Sequence, residues 1–278
     1  MSTFNSLESS AGPARSAAVV VAERDPLFES PATLDLFTLG RRAAAARDTR
    51  FGGAASFVRA RRWLPNEADP SASATSASEA TGTWRGPRDA CESYVEVSDL
   101  ANDAQRSDWE RAATAGAELI VGTVASALHA AVIAHGARVL YRFPFRTGEP
   151  AADRRARLAA LRQLVDTGAA LWGVMPTPVG EAEGIDTLRV VAALRLDLPS
   201  VPHVVLDVAA LGPRLGQMAL GFGGDELWAP IVSERALRIG GNANNPAMTR
   251  KEAAILIRGA GLSPRERIGP DRYSEETP

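Results

Sequence analysis

The chain has 278 residues, a length that suits one large domain, and its 45% hydrophobic content is that of a globular protein. A formal charge of −2 and a pI near 6.0 give no electrostatic basis for binding nucleic acid or an anionic membrane. A single cysteine excludes an internal disulfide and fits a reducing compartment, and no apolar run reaches the length of a membrane span or signal core, so a cytoplasmic location is expected.

In chain order, residues 1–15 offer little to bury and predict a disordered tail ahead of one domain spanning 16–278. Leu27–Arg47 carries Leu34, Phe37 and Ala44 on related turns and predicts a helix. Ala54–Ala60 reads as the first strand. Residues 65–87 are almost all small, polar or turn-forming. Such a segment buries too little apolar area to offset its ordering entropy and predicts a flexible linker. Beyond it, strands at Glu92–Val97, Glu118–Val124, Arg138–Phe145, Ala170–Met175 and His203–Ala209 alternate with helices. Those helices span Ser107–Gly116, Ser126–Gly136, Ala151–Gly168, Asp186–Leu196 and Gly212–Leu220, and a short strand at Gly221–Gly223 ends the series. Short apolar runs between amphipathic helices are the signature of a parallel sheet covered by helices, hence an α/β fold.

Three stretches carry a resemblance. They are RVVAALRLDLPSVPH (189–203), VVLDVAALGPRLGQMALGFGGDEL (204–227) and MTRKEAAILIRGAGLSPRER (248–267). With Asp35-Leu36 and Leu39-Gly40 before the first strand, they resemble radical SAM enzymes of the futalosine route to menaquinone, aminofutalosine synthase and dehypoxanthine futalosine cyclase. The synthases of the deazaflavin chromophore are a more distant likeness. The resemblance implies a TIM-barrel-like (β/α) barrel of the radical SAM type with leader helix 27–47. Seven or eight strands are expected, truncated or partial because the stretch from the linker to Phe145 is shorter than in the intact enzymes.

Those families hold a 4Fe–4S cluster on a CxxxCxxC loop after the first strand, with three thiolates as ligands. Here Cys91 stands alone, the linker occupies the loop's place, and Asp69 falls near the first ligand's slot. The expectation is therefore no 4Fe–4S cluster, with S-adenosylmethionine left as a candidate ligand. The resemblance also marks site residues. Thr147, Gly148 and Glu149 fall on the family's HxET turn, where Glu149 would hold a ligand hydroxyl or amine, or else cap the following helix. Gly223, Gly224, Asp225 and Glu226 match the family's FGADDL segment and would bind a nucleoside-like molecule. Trp228-Ala229-Pro230 then breaks the family's Asp-Gly-Thr.

Asp207 lies in an apolar strand, where a carboxylate is costly unless paired; it is either an acid of raised pKa or the partner of an arginine. His129 and His135 are six residues apart rather than the i, i+4 of a helical metal pair, and His203 opens a strand, so no metal site is expected.

Three functions follow. The first is a cluster-less radical SAM-like pseudoenzyme that partners or stabilises an active enzyme in futalosine-pathway menaquinone biosynthesis. The second is a cluster-independent enzyme performing hydrolysis or proton transfer on a nucleoside-like substrate, with Glu149 and Asp207 as catalytic candidates. The third is a module that binds a nucleoside or S-adenosylmethionine. A barrel short of units either closes with fewer strands or leaves an open edge for a partner, a homodimer or an intact radical SAM homologue. Trp63, Trp84 and Trp109 would then either face that partner or fill the trimmed core.

Overall fold

The computed structural model describes residues 35–64, 82–86, 90–97, 103–122, 138–166, 171–180, 184–231 and 247–274. Helix α1 (Leu36–Phe51) begins where the Asp35 carboxylate accepts the Thr38 N–H at 3.0 Å. It ends at Gly52, whose φ of 61° lies in the left-handed region that glycine alone enters without a Cβ penalty. The helix runs on to Phe51, beyond the expected end at Arg47; residues 27–34 of the expected helix lie outside the described residues.

The first strand is longer than the sequence suggests. It continues through β1 (Ala54–Val58), the single residue Arg59, and β2 (Ala60–Leu64). A short β3 (Thr83–Arg85) pairs antiparallel with β2 and sets Trp84 against Trp63, ring centroids 5.1 Å apart. This end of the predicted linker is thus an ordered strand held by aromatic contact. Residues 65–81 and 87–89 lie outside the described residues.

The remaining elements in order are β4 (Glu92–Val97), α2 (Asp103–Thr114), β5 (Leu119–Gly122), β6 (Arg138–Phe145), α3 (Ala151–Asp166), β7 (Leu171–Pro178), α4 (Gly184–Asp197) and β8 (His203–Asp207). They continue with α5 (Val208–Leu211), α6 (Pro213–Leu220), β9 (Glu226–Trp228), α7 (Arg250–Gly259), β10 (Ser263–Gly269) and β11 (Arg272–Tyr273). The predicted strand at Gly221–Gly223 is a turn; the strand follows it, where three large side chains replace the glycines. Val208 and Ala209, expected to end the previous strand, open α5 instead because Asp207 caps that turn. The predicted helix 126–136 lies outside the described residues.

The sheet order is β11-β10-β1-β9-β8-β7-β6-β5-β4-β2-β3, with every pairing parallel except those of β11 and β3. Its two arms meet in one chain segment. Ser56 N–H donates to Asp225 O toward β9, whereas Arg59 O, on the opposite flank, accepts from Cys91 and Glu92 N–H toward β4. The order therefore closes into a ring made of segment 54–64 and β4, β5, β6, β7, β8 and β9. Gly53 O accepts from Ser263 N–H, so β10 lies on the same flank as β4, below it. Among the described residues this ring has seven strands.

Alternation along the strands sorts side chains to the two faces of the ring. Inside, Val58, Leu119, Val121, Leu140, Trp172, Met175, Val205 and Trp228 form one buried cluster, with Ala60 and Tyr94 packed on it. Outside, Phe57, Val95, Ile120, Val139, Phe143 and Val174 belong to the larger core that also takes in apolar residues of the helices, such as Leu158, Leu161, Val191 and Ile257. Trp63 and Trp109 are buried in that outer core and Trp84, partly buried, packs on it.

Candidate functional site

Below and above the apolar layer inside the ring lie two polar layers. In five of the strands the residue two places before the inward apolar one falls at the amino end: Ser56, Glu92, Arg138, His203 and Glu226. Two places after it, at the carboxyl end, fall Arg62, Glu96, Arg142 and Asp207. We call these the floor and the mouth.

The floor is a network of buried charge pairs. Arg267 of β10 is fully buried, donating from Nε to Glu226 Oε2 at 2.7 Å and from Nη1 to Glu92 Oε2 at 2.6 Å. Glu92 also accepts from Arg138 at 2.9 Å, and Glu226 from Ser56 Oγ at 2.9 Å. Burial alone would favour the neutral arginine, but the two glutamates outweigh it and hold Arg267 firmly protonated. Beside this network Asp225 accepts the Val204 N–H at 2.6 Å, faces His203 Nδ1 at 2.6 Å and pairs with Arg195. Burial pushes its carboxyl up, but the His203 and Arg195 charges win and hold it below the usual aspartate value. The His203 ring lies against Phe51 and Trp172, with centroids 5.3 and 4.4 Å away.

Of the residues expected to form a terminal ligand patch, Asp225 and Glu226 thus stand at the amino end of β9. Asp225 and Glu226 are 2% and 0% exposed. At Gly224 a Cβ would lie 2.6 Å from Leu206 Cδ1, and at Gly223 one would lie 3.0 Å from Ala43 and Arg195. Close packing surrounds the two glycines, and buried ion pairs hold the two acids. Trp228, two residues beyond Glu226, fills the apolar layer and meets Tyr94 edge-on at 5.1 Å.

The mouth is where the architecture places chemistry. Glu96 accepts from Arg142 at 2.7 Å and pairs with Arg62 at 2.8 Å, while Arg142 Nη1 stands 3.9 Å from Asp207 Oδ2. Asp207 Oδ1 is taken by the N–H groups of Ala209 and Ala210 at 3.0 and 3.3 Å. Burial raises the Asp207 carboxyl, and the Arg142 charge only partly opposes it. Asp207 thus combines an arginine neighbour with a burial that raises its carboxyl. Beneath it the Tyr94 hydroxyl is pushed up to about 12, first by burial and then by Glu96. Glu96, Arg142, Arg62 and Tyr94 went unnoticed in the sequence. The signal was the pattern charge–x–apolar–x–charge in Glu92–Glu96, Arg138–Arg142 and His203–Asp207.

On the rim, an open cleft of about 540 Å³ lies at the ends of β6 and β7, lined among others by Phe145, Arg146, Thr147, Gly148, Glu149, Arg157 and Val179. Its size is that of a small-molecule site. The expected Thr147, Gly148 and Glu149 line it, but the Glu149 carboxylate is engaged. Arg154 Nε donates to Oε1 at 2.8 Å and Arg157 Nη2 to Oε2 at 2.5 Å. Burial pushes Glu149 up, and these two arginines more than offset it, holding the carboxyl below its ordinary value. Arg157 Nε is buried without a hydrogen-bond partner.

A cluster does not fit these residues. Cys91 precedes β4 at the amino end, 3.5 Å from Arg59, whereas the loop that follows Leu64 leaves the carboxyl end. Among the described residues no group of three or more His, Cys, Asp and Glu can hold a metal ion. His129, His135 and Asp69 lie outside the described residues. No described helix is long and apolar enough to cross a membrane.

No protein-family model matches the chain. Aminodeoxyfutalosine synthase of Thermus thermophilus is 34% identical over 84 residues, which is 30% of this chain and 23% of that protein. A 5-amino-6-(D-ribitylamino)uracil–L-tyrosine 4-hydroxyphenyl transferase of Methanosarcina barkeri is 31% identical over 100 residues, 32% of this chain and 27% of the other. The matched stretches thus span about a quarter of these relatives' lengths. Among solved structures, methylornithine synthase aligns over 86% of this chain and 91% of its own, at a TM-score of 0.49 and 11% identity. A maturase of the FeFe-hydrogenase aligns over 73% and 63% at 0.47 and 8%. In sequence the chain resembles radical SAM enzymes, among them one of futalosine synthesis, and its fold is TIM-barrel-like.

Proposed function

We propose that this protein is a radical SAM-like barrel that performs no cluster chemistry and acts as partner or stabiliser of an intact, cysteine-bearing homologue in the futalosine route to menaquinone. The observation that carries this reading is the place of Cys91. The sequence's one thiol stands just before β4, beside Arg59, whereas the family's three thiolates stand on a loop after the first strand. The stretch of identity with aminodeoxyfutalosine synthase supports the pathway. Anaerobic reconstitution with iron and sulfide is expected to leave no stoichiometric iron. Co-expression with a neighbouring intact homologue is expected to give a complex by light scattering. About four irons per chain, or a monodisperse protein indifferent to the homologue, would sink the proposal.

A second reading, a module that binds a nucleoside-like molecule or S-adenosylmethionine, draws support from the rim cleft, which Thr147, Gly148, Glu149 and Arg157 help to line. Calorimetric titration with adenosine and with S-adenosylmethionine separates the two readings, since the partner role requires neither to bind.

A further inference from the structure

Two consecutive residues of β10 reach opposite faces of the place where the ring closes. Arg267 turns inward and joins Glu226 of β9 to Glu92 of β4, the neighbours on either flank of segment 54–64. Glu266 turns outward, 1% exposed, and accepts from Arg59 Nε at 2.5 Å while also pairing with Arg250 at the start of α7. Arg59 is the one residue outside the ladder between β1 and β2, and its carbonyl receives the Cys91 and Glu92 N–H groups. Along that flank β10 stops where β4 starts: Val58 pairs with Arg267 and Ala60 with Glu92.

We propose that β10 is a latch on the closing seam of the barrel, held by the charge pairs of Arg267 and Glu266, and that loss of those pairs opens the ring locally at this seam. The seam joins the first strand to elements contributed from residue 226 onward, and beside its ladders it carries the buried charge pairs of Arg267 and Glu266. A β10 that lets go bares the flank of β1 on which it pairs, Ala54–Val58, the kind of strand edge on which another chain pairs.

The half-buried Cys91, 3.5 Å from Arg59 Nη2, reports the event as the protein's only thiol. Labelling of the intact chain with a chromogenic disulfide reagent in native buffer measures it, beside hydrogen exchange read by mass spectrometry. Glu266→Gln removes the outer half of the latch. It is expected to speed Cys91 labelling by about tenfold or more, the scale of one charge-assisted hydrogen bond lost from a local opening. Exchange should rise at 54–64 and 90–97 and stay unchanged at 184–207. Arg250→Ala, at a side chain 45% exposed, repeats the test more gently should the first variant fold poorly. Labelling at the parent rate in both variants would overturn the latch. So would equal gains in exchange at the seam and at 184–207, because opening would then be global.

Discussion

At the floor of the barrel, Glu226 and Arg267 are both fully buried and bound to each other through two hydrogen bonds. At the mouth, Glu96 and Arg142 hold each other at a similar distance, yet 27% and 26% of their side chains stay in water. The same pair of residue types therefore does two jobs. Removed from water, an ion pair is only as good as its geometry, and breaking one partner strands a charge in a medium that cannot solvate it. In partial contact with water the pair is screened and replaceable, which leaves the mouth free to exchange partners with a ligand.

The largest effect that should separate the ends is Arg267→Met. It leaves Glu92 and Glu226 facing each other in the floor, and we expect a loss of about 3–5 kcal/mol in urea unfolding. A loss below about 1 kcal/mol would mean that water reaches the floor, and the contrast between the ends would fail.

The next effect turns on pH. Asp225 at the floor is held below its ordinary value, so its contribution to stability is present above the unfolded value and is lost as pH falls through the folded one. Asp207 at the mouth is raised. The fold disfavours its ionised form, so stability is greatest below the unfolded value and declines as pH climbs through the raised one. Asp225→Asn is therefore expected to destabilise at neutral pH and to flatten the acid limb of the stability profile. Asp207→Asn should be neutral or slightly stabilising there. Thermal melts from pH 3 to 7 check the signs, and parallel profiles for the two variants would refute the contrast.

The smallest effect belongs to Arg62→Ala. Its side chain is 42% exposed and its pair with Glu96 is screened, so a change of about 0–1 kcal/mol is expected, shrinking further in high salt. A loss comparable to that of Arg267→Met would show that the mouth is as much a structural joint as the floor.

Much of this layout was legible in the chain. The strands at Glu92–Val97 and Arg138–Phe145 fall where apolar alternation places them, and most helices lie within a few residues of their expected bounds. Misplaced ends have local causes. Asp207 ends β8 by capping the next turn, and the glycines at 221–224 make a turn where a strand was expected because they give no side chains to a sheet face. The single cysteine and the resemblance to radical SAM enzymes also needed no coordinates.

Alternation told which residues share a face but not at which end of the barrel each would stand. Asp225 and Glu226 follow a glycine turn that leads into a strand, so they fall at its amino end, whereas a motif match by itself carried them to a ligand site. Ring closure was likewise out of reach. It depends on Arg59 dividing one strand between two partners and on Arg267 meeting Glu92, 175 residues away in the chain. Local propensity fixes the elements because neighbouring residues set it. Long-range pairing and burial decide which charges become structure and which remain available, because only the folded chain determines what each charge faces.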